Sequence, residues 1–478
     1  MRKDYSIDSM SKNSRSKYLL KNTVIFAIGN FSTKLIAFFL VPFYTYVLTT
    51  EEYGVINLIF TLATLIGPFL MVNLQDAVRR FALESNADYK AILSVEWTVV
   101  IAGHLFGLVL IPLAKVYAPI SSYSLELYFY IVSLSANTIF LEYLRGIERM
   151  KAYSFCSVFS SFAIAVLNIL FLTRMQLGVS GYFLSYIIAF TFSSLIAIII
   201  GKQYIVFREW KWDKTLFCNM LKFSIPMVPN SLLWWISSSS DHIMVTQFIS
   251  AAANGIYTVS YKIPTLISTI SNIFMQAWQI SAIKENDNKK DNDFSNLMFD
   301  VYIRFITLLT GFLLIIIKPF MYIYVNPDFV EAWKYTPFLI IGYAFSTLGT
   351  FVGTPYYVYK DMKGNMFSAA SGAIINVILN AILIPTIGVQ GAAVATCVSY
   401  IVVFVYRVFD TRKYEILNYK KKEYGVFLFG TLILAGLCYL NFQWKFLIML
   451  IIYICLIALN KQLIGTMIHV LKQKIIKK

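Results

Sequence analysis

The feature that most constrains this chain is a series of apolar runs, each about 20 residues long, that recurs from Leu19 to Leu471. One such run, folded as an α-helix, is long enough to cross the roughly 30 Å hydrocarbon core of a bilayer. Only 14% of the residues are charged, whereas a soluble protein of this size carries about 25%. The sequence therefore predicts an all-α polytopic membrane protein and excludes a soluble fold.

Polar segments divide the apolar runs into fourteen predicted transmembrane helices. The positive-inside rule tests this number, because cytoplasmic loops carry an excess of Lys and Arg. With a cytoplasmic N-terminus, the inside segments hold 33 Lys and Arg and the outside loops hold 4, namely Lys115, Arg174, Lys334 and Lys445. Both termini are therefore predicted to be cytoplasmic. We place the helices near 19–48, 54–80, 91–115, 124–145, 153–173, 179–201, 216–248, 254–282, 296–324, 335–359, 365–385, 389–410, 424–441 and 445–470.

A Gly-Val-x-Gly motif occurs twice, in "LGVSGYFLSY" from Leu177 and in "IGVQGAAVAT" from Ile387, 210 residues apart. Small residues at intervals of four follow each copy, and such a stripe lets a neighbouring helix approach closely. The two stripes are Gly181/Ser185/Ala189 and Gly391/Ala395/Ser399. Other pairs occur in the same order: Gly54 with Gly255, Gln75 with Gln276, Met150-Lys151 with Met362-Lys363, and Leu167-Asn168 with Leu379-Asn380.

These pairs predict that six helices repeat as six helices. Six is an even number, so the two copies have the same orientation and are related by an axis along the membrane normal. Two parallel lobes around a central cleft that opens to alternate sides is the design of a transporter. We predict an N-terminal tail at 1–18, an N-lobe at 19–201, a C-lobe at 216–410, two further helices at 424–470 and a basic tail at 471–478.

Several ionisable residues fall inside the predicted helices, where a charge costs about 2.5–3.5 kcal/mol even on the lenient insertion scale. Such residues need a partner or water, so we predict that they line the cleft. The candidates are Lys34, Asp241, Lys262, Glu96 and His104. Glu96 is also close enough to the cytoplasmic end to snorkel, and His104 is also compatible with a satisfied core histidine.

Two further patterns in the helices have structural interpretations. Asp300 and Arg304 are four residues apart with the acid first, the favourable order for a local ion pair. Pro226 and Pro229 cannot donate backbone hydrogen bonds, so we expect a kink or a broken turn in helix 7.

The composition predicts neither an enzyme nor a nucleic-acid partner. The net charge of +16 comes from Lys and Arg in alternate loops, and the sequence has no HExxH motif, Walker-type loop or large extramembrane domain. The five cysteines show no metal-ligand spacing, so we interpret them as small buried side chains. We predict no resident cofactor and no metal site.

Three segments carry a resemblance to a known family: "FLVPFYTYVLTTEEYGVINL", "YLRGIERMKAYS" and "LNAILIPTIGVQGAAVAT". With the 6+6+2 helices, they make the chain resemble the polysaccharide transporter family of the multidrug/oligosaccharidyl-lipid/polysaccharide exporter superfamily. The resemblance implies a flippase in the bacterial cytoplasmic membrane that moves an undecaprenyl-diphosphate-linked oligosaccharide to the outer leaflet. It also implies membrane lipids, polysaccharide polymerases and glycosyltransferases as partners in surface polysaccharide synthesis (O-antigen, capsule or exopolysaccharide).

The candidate residues fit an anionic substrate. Lys34 and Lys262 would neutralise the diphosphate, with Arg79 and Arg80 at the cytoplasmic mouth, and Asp241 would hold Lys34 when the cleft is empty. The membrane potential favours outward movement of anions by about 2.3 kcal/mol per charge per 100 mV. Coupling to H⁺ or Na⁺ stays open.

Two alternatives differ in what they require. A multidrug or organic-cation antiporter of the same superfamily favours an acidic cleft, which Asp241 and Glu96 would supply, but two central lysines repel cations. A polytopic enzyme of envelope synthesis usually carries a long periplasmic loop, whereas the outside connections predicted here are short.

Overall fold

The computed structural model describes residues 32–84, 86–287, 293–359, 361–414, 417 and 421–460. Throughout this part of the chain the secondary structure is helical, with no β-strand. Contacts divide the chain between Trp235 and Ile236 into two compact units, unit 1 before the division and unit 2 after it.

Unit 1 contains nine helices and the first part of a tenth, within its described residues. They are α1 (Ser32–Val47), α2 (Thr50–Leu70), α3 (Leu74–Ala82), α4 (Tyr89–Gly107), α5 (Leu110–Val116), α6 (Ser124–Gly146), α7 (Met150–Ile169), α8 (Gly178–Gly201), α9 (Lys214–Ser224) and α10 (Met227–Phe248).

Unit 2 contains the rest of α10 and the helices that follow it. They are α11 (Ala251–Ser260), α12 (Pro264–Asp287), α13 (Asp293–Tyr324), α14 (Thr336–Val352), α15 (Thr354–Val358), α16 (Met362–Ile387), α17 (Val389–Asp410), α18 (Lys421–Tyr439) and α19 (Lys445–Leu459).

The helices confirm a multi-pass membrane protein. Among the described residues, 10 helical stretches are long and apolar enough to cross a membrane, and two shorter apolar helices, α1 and α19, accompany them. Predicted helices 7 and 8 are not among the ten, and the first and last predicted helices extend outside the described residues. The number fourteen therefore stays a prediction.

Several predicted helices are interrupted where we expected continuity, and their ranges are corrected here. Predicted helix 2 (54–80) begins earlier, at Thr50, and breaks at 71–73 between α2 and α3. Predicted helix 8 (254–282) breaks at 261–263, because Pro264 starts α12 and cannot donate the hydrogen bond that would continue α11. Predicted helix 10 (335–359) likewise breaks at Gly353, just before α15.

The expected break in helix 7 is confirmed. The helical pattern stops at 225–226, between α9 and α10, at the first of the two prolines. The predicted packing role of the cysteines holds for three of them: Cys156, Cys397 and Cys438 are buried, whereas Cys218 and Cys455 are exposed. The prediction of burial is therefore wrong for Cys218 and Cys455, because an apolar helix in a membrane protein can face lipid as well as protein.

The two Gly-Val-x-Gly motifs need their glycines for the same structural reasons. The first glycine of each copy, Gly178 or Gly388, has a positive φ, +53° and +67°, which L-residues rarely adopt. The second glycine makes a close approach: a Cβ on Gly391 would lie 2.4 Å from the Leu383 carbonyl, and one on Gly181 would lie 2.7 Å from the Leu177 Cβ. Each motif therefore forms a tight junction between consecutive helices.

The small-residue stripes lie on buried faces of α8 and α17, as predicted. Each of the six positions is buried, and each stripe begins with the close-packed glycine of its motif. The two junctions differ in what precedes them. In unit 1, α7 ends in a π-helical turn at Leu170–Arg174, whereas α16 of unit 2 continues as an α-helix to Ile387.

Other repeat positions also have equivalent local structures. Thr49 caps α2 by accepting from the Glu52 N–H, and Ser250, 201 residues later, caps α11 by accepting from the Ala253 N–H. The helices α7 and α16 both begin at the methionine of a Met-Lys pair. The repeat therefore specifies where helices begin, end and approach each other.

Candidate functional site

Asp241 is the centre of a buried polar network in unit 2. Its Oδ2 accepts hydrogen bonds from the Tyr257 hydroxyl at 2.7 Å, from the Thr396 hydroxyl at 3.1 Å, and from the Tyr261 hydroxyl. Its Oδ1 accepts from the backbone N–H of His242 at 3.0 Å. The residue is only 2% exposed. The carboxylate is thus satisfied within its own unit and joins α10 to α11 and α17.

Amide and hydroxyl side chains extend this network into α16. The side-chain amide of Asn376 donates to the Thr396 hydroxyl at 3.3 Å, and the side-chain amide of Asn380 donates to the side-chain oxygen of Asn376 at 2.9 Å. Ser240 donates to the same Asn376 oxygen at 3.2 Å. On the other side of Asp241, a ring nitrogen of His242 lies 2.8 Å from the Asn254 side-chain oxygen. Four helices, α10, α11, α16 and α17, are therefore connected by one buried polar network.

Unit 1 has an aromatic cluster where the repeat places the equivalent of this network. Phe60 lies at its centre, with ring centroids 4.9 Å from Tyr130, 5.1 Å from Tyr186 and 5.9 Å from Tyr182. The hydroxyls of Tyr182 and Tyr186 lie 3.2 Å apart. We call this set, together with Tyr44, the aromatic cluster.

A buried asparagine borders the aromatic cluster. Asn168, the repeat partner of Asn380, donates from its amide to the Tyr44 hydroxyl at 3.1 Å. Both asparagines are fully buried, and the side-chain oxygen of each has no hydrogen-bond partner among the described residues. The repeat therefore retains a polar amide at this position although its surroundings differ.

Glu96 does not snorkel to the membrane surface. It lies on α4 of unit 1 with 0% exposure, and neither carboxyl oxygen has a hydrogen-bond partner within the described part of the chain. A buried ionised carboxyl without a partner is costly. The zero exposure contradicts the snorkelling interpretation. The predicted place of Glu96 in the cleft stays a prediction.

His104 lies in the wall of a cavity of about 320 Å³ between α4, α6 and α8. Its Nε2 is 3.1 Å from the Ser135 hydroxyl, and its backbone carbonyl accepts from the Tyr128 hydroxyl at 3.1 Å. The ring is half-buried. This arrangement agrees with a satisfied histidine inside unit 1.

Arg79 and Arg80 already have acidic partners. Arg79 bridges Asp76 at 2.6 Å and Glu142 at 2.8 Å, and Arg145 contacts the other oxygen of Glu142 at 2.7 Å. This group joins α3 to α6. Arg80 pairs with Glu84 one turn later at 3.0 Å and is more than half exposed. Of the two, Arg80 is more accessible to an anion.

Lys34 and Lys262 occupy contrasting environments. Lys34 is exposed on α1 of unit 1. Lys262 is half-buried at the break between α11 and α12, and its backbone N–H donates to the Val259 carbonyl. Lys34 and Asp241 belong to different units, so their predicted ion pair stays a prediction, as do the substrate roles of both lysines.

Two loop carboxylates in unit 1 are held ionised by lysines. The hydrogen bond from Lys211 lowers the pKa of Asp88, and Lys90 lowers the pKa of Glu209 in the same way. Asp88 also caps α4 by accepting from the backbone N–H groups of its first turn. These pairs fix the loop that follows α8 against the start of α4.

Sequence reasoning missed several buried polar partners. Arg407, counted among cytoplasmic cations, is 4% exposed and donates to Ser368, Gly349 and Asn365 at 3.0 Å each. The hydroxyls that surround Asp241 were also missed, although Tyr257 and Tyr261 have the four-residue spacing of one helix face. By contrast, the predicted Asp300–Arg304 pair is confirmed at 2.9 Å.

The described residues contain no group of three or more His, Cys, Asp or Glu side chains that could hold a metal ion. The polar groups that come together are instead hydroxyls, amides and single carboxylates. Such a set suits hydrogen bonding between helices more than catalysis.

Comparisons with known proteins agree with this architecture. Residues 19–279 match the family model described as "Polysaccharide biosynthesis protein". An uncharacterized membrane protein of Methanocaldococcus jannaschii, MJ1375, is 23% identical over 423 residues, which cover 82% of this chain and 97% of that protein.

Two solved structures share the fold. Lipid II flippase MurJ, in an inward closed conformation, has a TM-score of 0.71 at 18% identity, covering 93% of this chain and all of that one. An inward-facing multidrug resistance MATE family transporter of the MOP superfamily has a TM-score of 0.61 at 13% identity, covering 82% and 94%. Since the family model spans more than half of the sequence, this chain belongs to the polysaccharide biosynthesis protein family.

Proposed function

We propose that this protein is a flippase for a lipid-linked anionic oligosaccharide, moved from the cytoplasmic to the outer leaflet of the cytoplasmic membrane. The proposed substrate is an undecaprenyl-diphosphate-linked repeat of a surface polysaccharide. The observation that carries the proposal is the combination of the family match with a fold like that of lipid II flippase MurJ over 93% of the chain. The membrane enzyme alternative has no comparable support.

The physical problem of the reaction explains why a transporter fold suits it. An oligosaccharide exposes many hydroxyls, and each costs roughly 4–8 kcal/mol in hydrocarbon without a partner. A water-filled cleft between two lobes would carry the sugar, while the lipid tail stays in the bilayer. Alternating access would then deliver the head group to the outer side.

Lys34 is the cation that we propose for the diphosphate. Its side chain is exposed on α1, and we propose that its ammonium group faces the cleft. Asp241, by contrast, is buried among hydroxyls of unit 2. We therefore propose that Asp241 acts mainly by holding α10, α11 and α17 together so that the C-lobe moves as one body. Lys262, Arg80, Arg79, Glu96 and His104 remain candidates for further substrate contacts.

Proteoliposomes would test the transport reaction. They would hold a polyprenyl-diphosphate-linked oligosaccharide with a fluorescent sugar, and a membrane-impermeant quencher would report which leaflet holds it. The protein should equilibrate the label between leaflets, whereas protein-free vesicles should not. Failure of the folded protein to move any such lipid, with or without an imposed potential, would overturn the proposal.

Variants of Lys34 would test its role in the same assay. Lys34→Ala should reduce transport at least tenfold, Lys34→Arg should retain part of it, and Lys115→Ala is the matched control on another helix of unit 1. The loss of one charge-assisted contact with a phosphate explains the expected direction. Normal transport by folded Lys34→Ala would exclude Lys34 as a substrate contact.

The second candidate function is the export of organic cations, which the likeness to the MATE transporter favours. The same vesicles, loaded with a fluorescent organic cation and given a proton or sodium gradient, separate the two functions. Gradient-driven cation export without lipid movement would support the antiporter and contradict the flippase.

A further inference from the structure

Two adjoining cavities lie at one end of unit 2, beside the helices that follow the repeat. The larger has a volume of about 730 Å³ and is lined by residues of α13, α14, α16, α17 and α18, of the 3₁₀-helix before α14 and of the segment after α18. The smaller, about 250 Å³, lies between α13, α18 and α19. They share the lining residues Lys318, Cys438 and Asn441, so they form one continuous recess.

Three lysines line this recess, and their environments differ. Lys334 pairs with Glu331 at 2.7 Å, so its charge is already compensated. Lys318 and Lys445 have no carboxylate partner among the described residues; the Lys318 ammonium lies 4.7 Å from the ring centre of Trp333, and Lys445 donates to the Cys438 carbonyl at 2.7 Å. Two uncompensated positive charges therefore face the same recess.

The walls around these charges are apolar and open to the surroundings. Leu440 and Phe446 both line the recess and are 53% and 56% exposed. Trp333 and Tyr439 also line the recess. Trp444, which lies between the lining residues Gln443 and Lys445 in sequence, is largely exposed. Trp and Tyr gather at the level of lipid head groups. The recess therefore combines cations, interfacial aromatics and an apolar wall.

We infer that this recess binds the phosphate head group of an anionic phospholipid, with Lys318 and Lys445 as the cationic contacts. The ammonium groups supply charge to the phosphate, and lysine is a common phosphate ligand. Gln390, Asn441 and Gln443 line the same recess and offer amide donors to the glycerol and head-group oxygens. An acyl chain can follow the exposed apolar wall of α18 and α19.

A lipid in this recess would affect the packing of helices α18 and α19. They lie outside the six-plus-six repeat, and this recess lies where their connection meets α13 and the start of α14. A bound phospholipid would fill the space among these elements and stabilise their packing. The inference stands apart from the proposed transport reaction, since it concerns a lipid that stays in its leaflet.

Native mass spectrometry of the purified full-length protein in detergent would measure the binding. Phosphatidylglycerol is the probe, and phosphatidylcholine with the same acyl chains is the zwitterionic comparison without net charge. The double variant Lys318→Gln/Lys445→Gln should bind phosphatidylglycerol about 30-fold more weakly. Each lysine near a charged lipid surface contributes a factor of about five in affinity, and the two factors multiply. Binding of phosphatidylcholine should change less than twofold.

Matched variants distinguish the recess from general surface charge. Lys334→Gln removes a lysine of the same recess that is already paired, and Lys115→Gln removes a predicted outer lysine of unit 1; both should change binding less than twofold. If Lys318→Gln/Lys445→Gln fails to fold, Lys318→Gln alone serves, since it removes one charge from the recess together with the contact to the Trp333 ring. Lys318→Arg/Lys445→Arg should keep the affinity for phosphatidylglycerol.

Three results would overturn the inference. The first is unchanged phosphatidylglycerol binding in the folded double variant. The second is a higher melting temperature of the parent, but not of the double variant, in inorganic phosphate while phosphatidylglycerol has no effect. That result would make the recess a site for soluble anions. The third is tighter, lysine-dependent binding of a polyprenyl phosphate than of phosphatidylglycerol, which would assign the recess to the carrier lipid. A loss confined to phosphatidylglycerol and to these two lysines supports it.

Discussion

Unit 1 and unit 2 build equivalent helices around different interiors. Phe60 and Tyr261 are 201 residues apart, the same offset that relates Gly54 to Gly255. Phe60 packs against tyrosine rings, whereas Tyr261 donates its hydroxyl to Asp241. One unit thus has an aromatic interior, and the other has a buried polar network, centred on a carboxylate, that connects four helices.

The parts that the two units share are the ends and junctions of helices. Both copies retain the positive-φ glycine, the close-packed glycine, and a Thr or Ser cap. These features depend on backbone geometry, which few residue types can satisfy. The comparison teaches that the repeat preserves the frame of the fold while the chemistry of its interior has diverged.

Removal of the Asp241 carboxylate should have the largest effect. Asp241→Ala leaves three buried hydroxyls without their acceptor and should lower the free energy of unfolding by about 3–5 kcal/mol. In unit 1, Tyr186→Phe removes one hydroxyl contact and should cost about 1 kcal/mol. Unfolding in SDS, followed by circular dichroism, measures both. Equal costs would mean that the two interiors are energetically alike.

The two close-packed glycines come next. Gly391→Ala would place a methyl group 2.4 Å from the backbone of Leu383, whereas Gly181→Ala would meet the Cβ atoms of Leu177 and Phe171 at 2.7 and 3.2 Å. Overpacking costs about 1–3 kcal/mol, and Gly391→Ala should lie at the upper end because backbone moves less than side chains. Folded yield and melting temperature should therefore fall more in unit 2. Parent-like behaviour of both variants would contradict the junction model.

The helix caps should show similar costs in the two units. Thr49→Ala and Ser250→Ala each remove a side-chain acceptor at a helix start and should cost about 1 kcal/mol. Glu52 completes a capping box with Thr49, whereas Ala253, at the equivalent position of α11, has no side chain that could do so with Ser250. Glu52→Ala should therefore cause a further loss of stability that has no counterpart in unit 2. SDS unfolding of the three variants is the measurement. Strongly unequal costs for Thr49→Ala and Ser250→Ala would show that the caps are not equivalent.

The smallest effect should be a pH dependence at the start of α16. A hydrogen bond from the Gly364 N–H, and then one from the Tyr414 hydroxyl, lower the pKa of Asp361 to about 2. The equivalent N-cap residue of α7, Arg149, makes no side-chain cap. A lowered pKa stabilises the fold above the ordinary Asp pKa near 4, and this contribution is lost as the pH falls toward about 2. Between pH 5 and 3, the parent should lose on the order of 1 °C more in melting temperature than Asp361→Asn. Identical pH profiles would rule out this cap.

The sequence predicted those parts of the fold that depend on local patterns. Apolar runs predicted the helices, and Pro226 predicted the break in helix 7. The break at 261–263 was missed although Pro264 follows it, because apolar periodicity continues across the break. Fourteen helices and the sidedness of the membrane depend on charge patterns and stay predictions.

The site was predicted less well because its partners are distant in sequence. Asp241 was singled out as a residue that needs partners or water inside the membrane, but one of its partners, Thr396, is 155 residues away in sequence. Arg79 was predicted at the cytoplasmic mouth without a partner, and its partner Glu142 is 63 residues away in sequence. A helix sequence shows which side chains share a face, whereas the neighbours of that face are decided by tertiary packing.

The π-helical turn at Leu170–Arg174 bears on the ancestry of the chain. Asn168 precedes Gly178 by ten positions, whereas Asn380 precedes Gly388 by eight. A gain or loss of two codons in one copy of a duplicated segment would produce this difference in length. The longer copy accommodates its additional residues in a widened turn, a known outcome of insertion into an α-helix. The following helix kept its glycine junction, so the length change was absorbed before it could alter the register of the helices downstream.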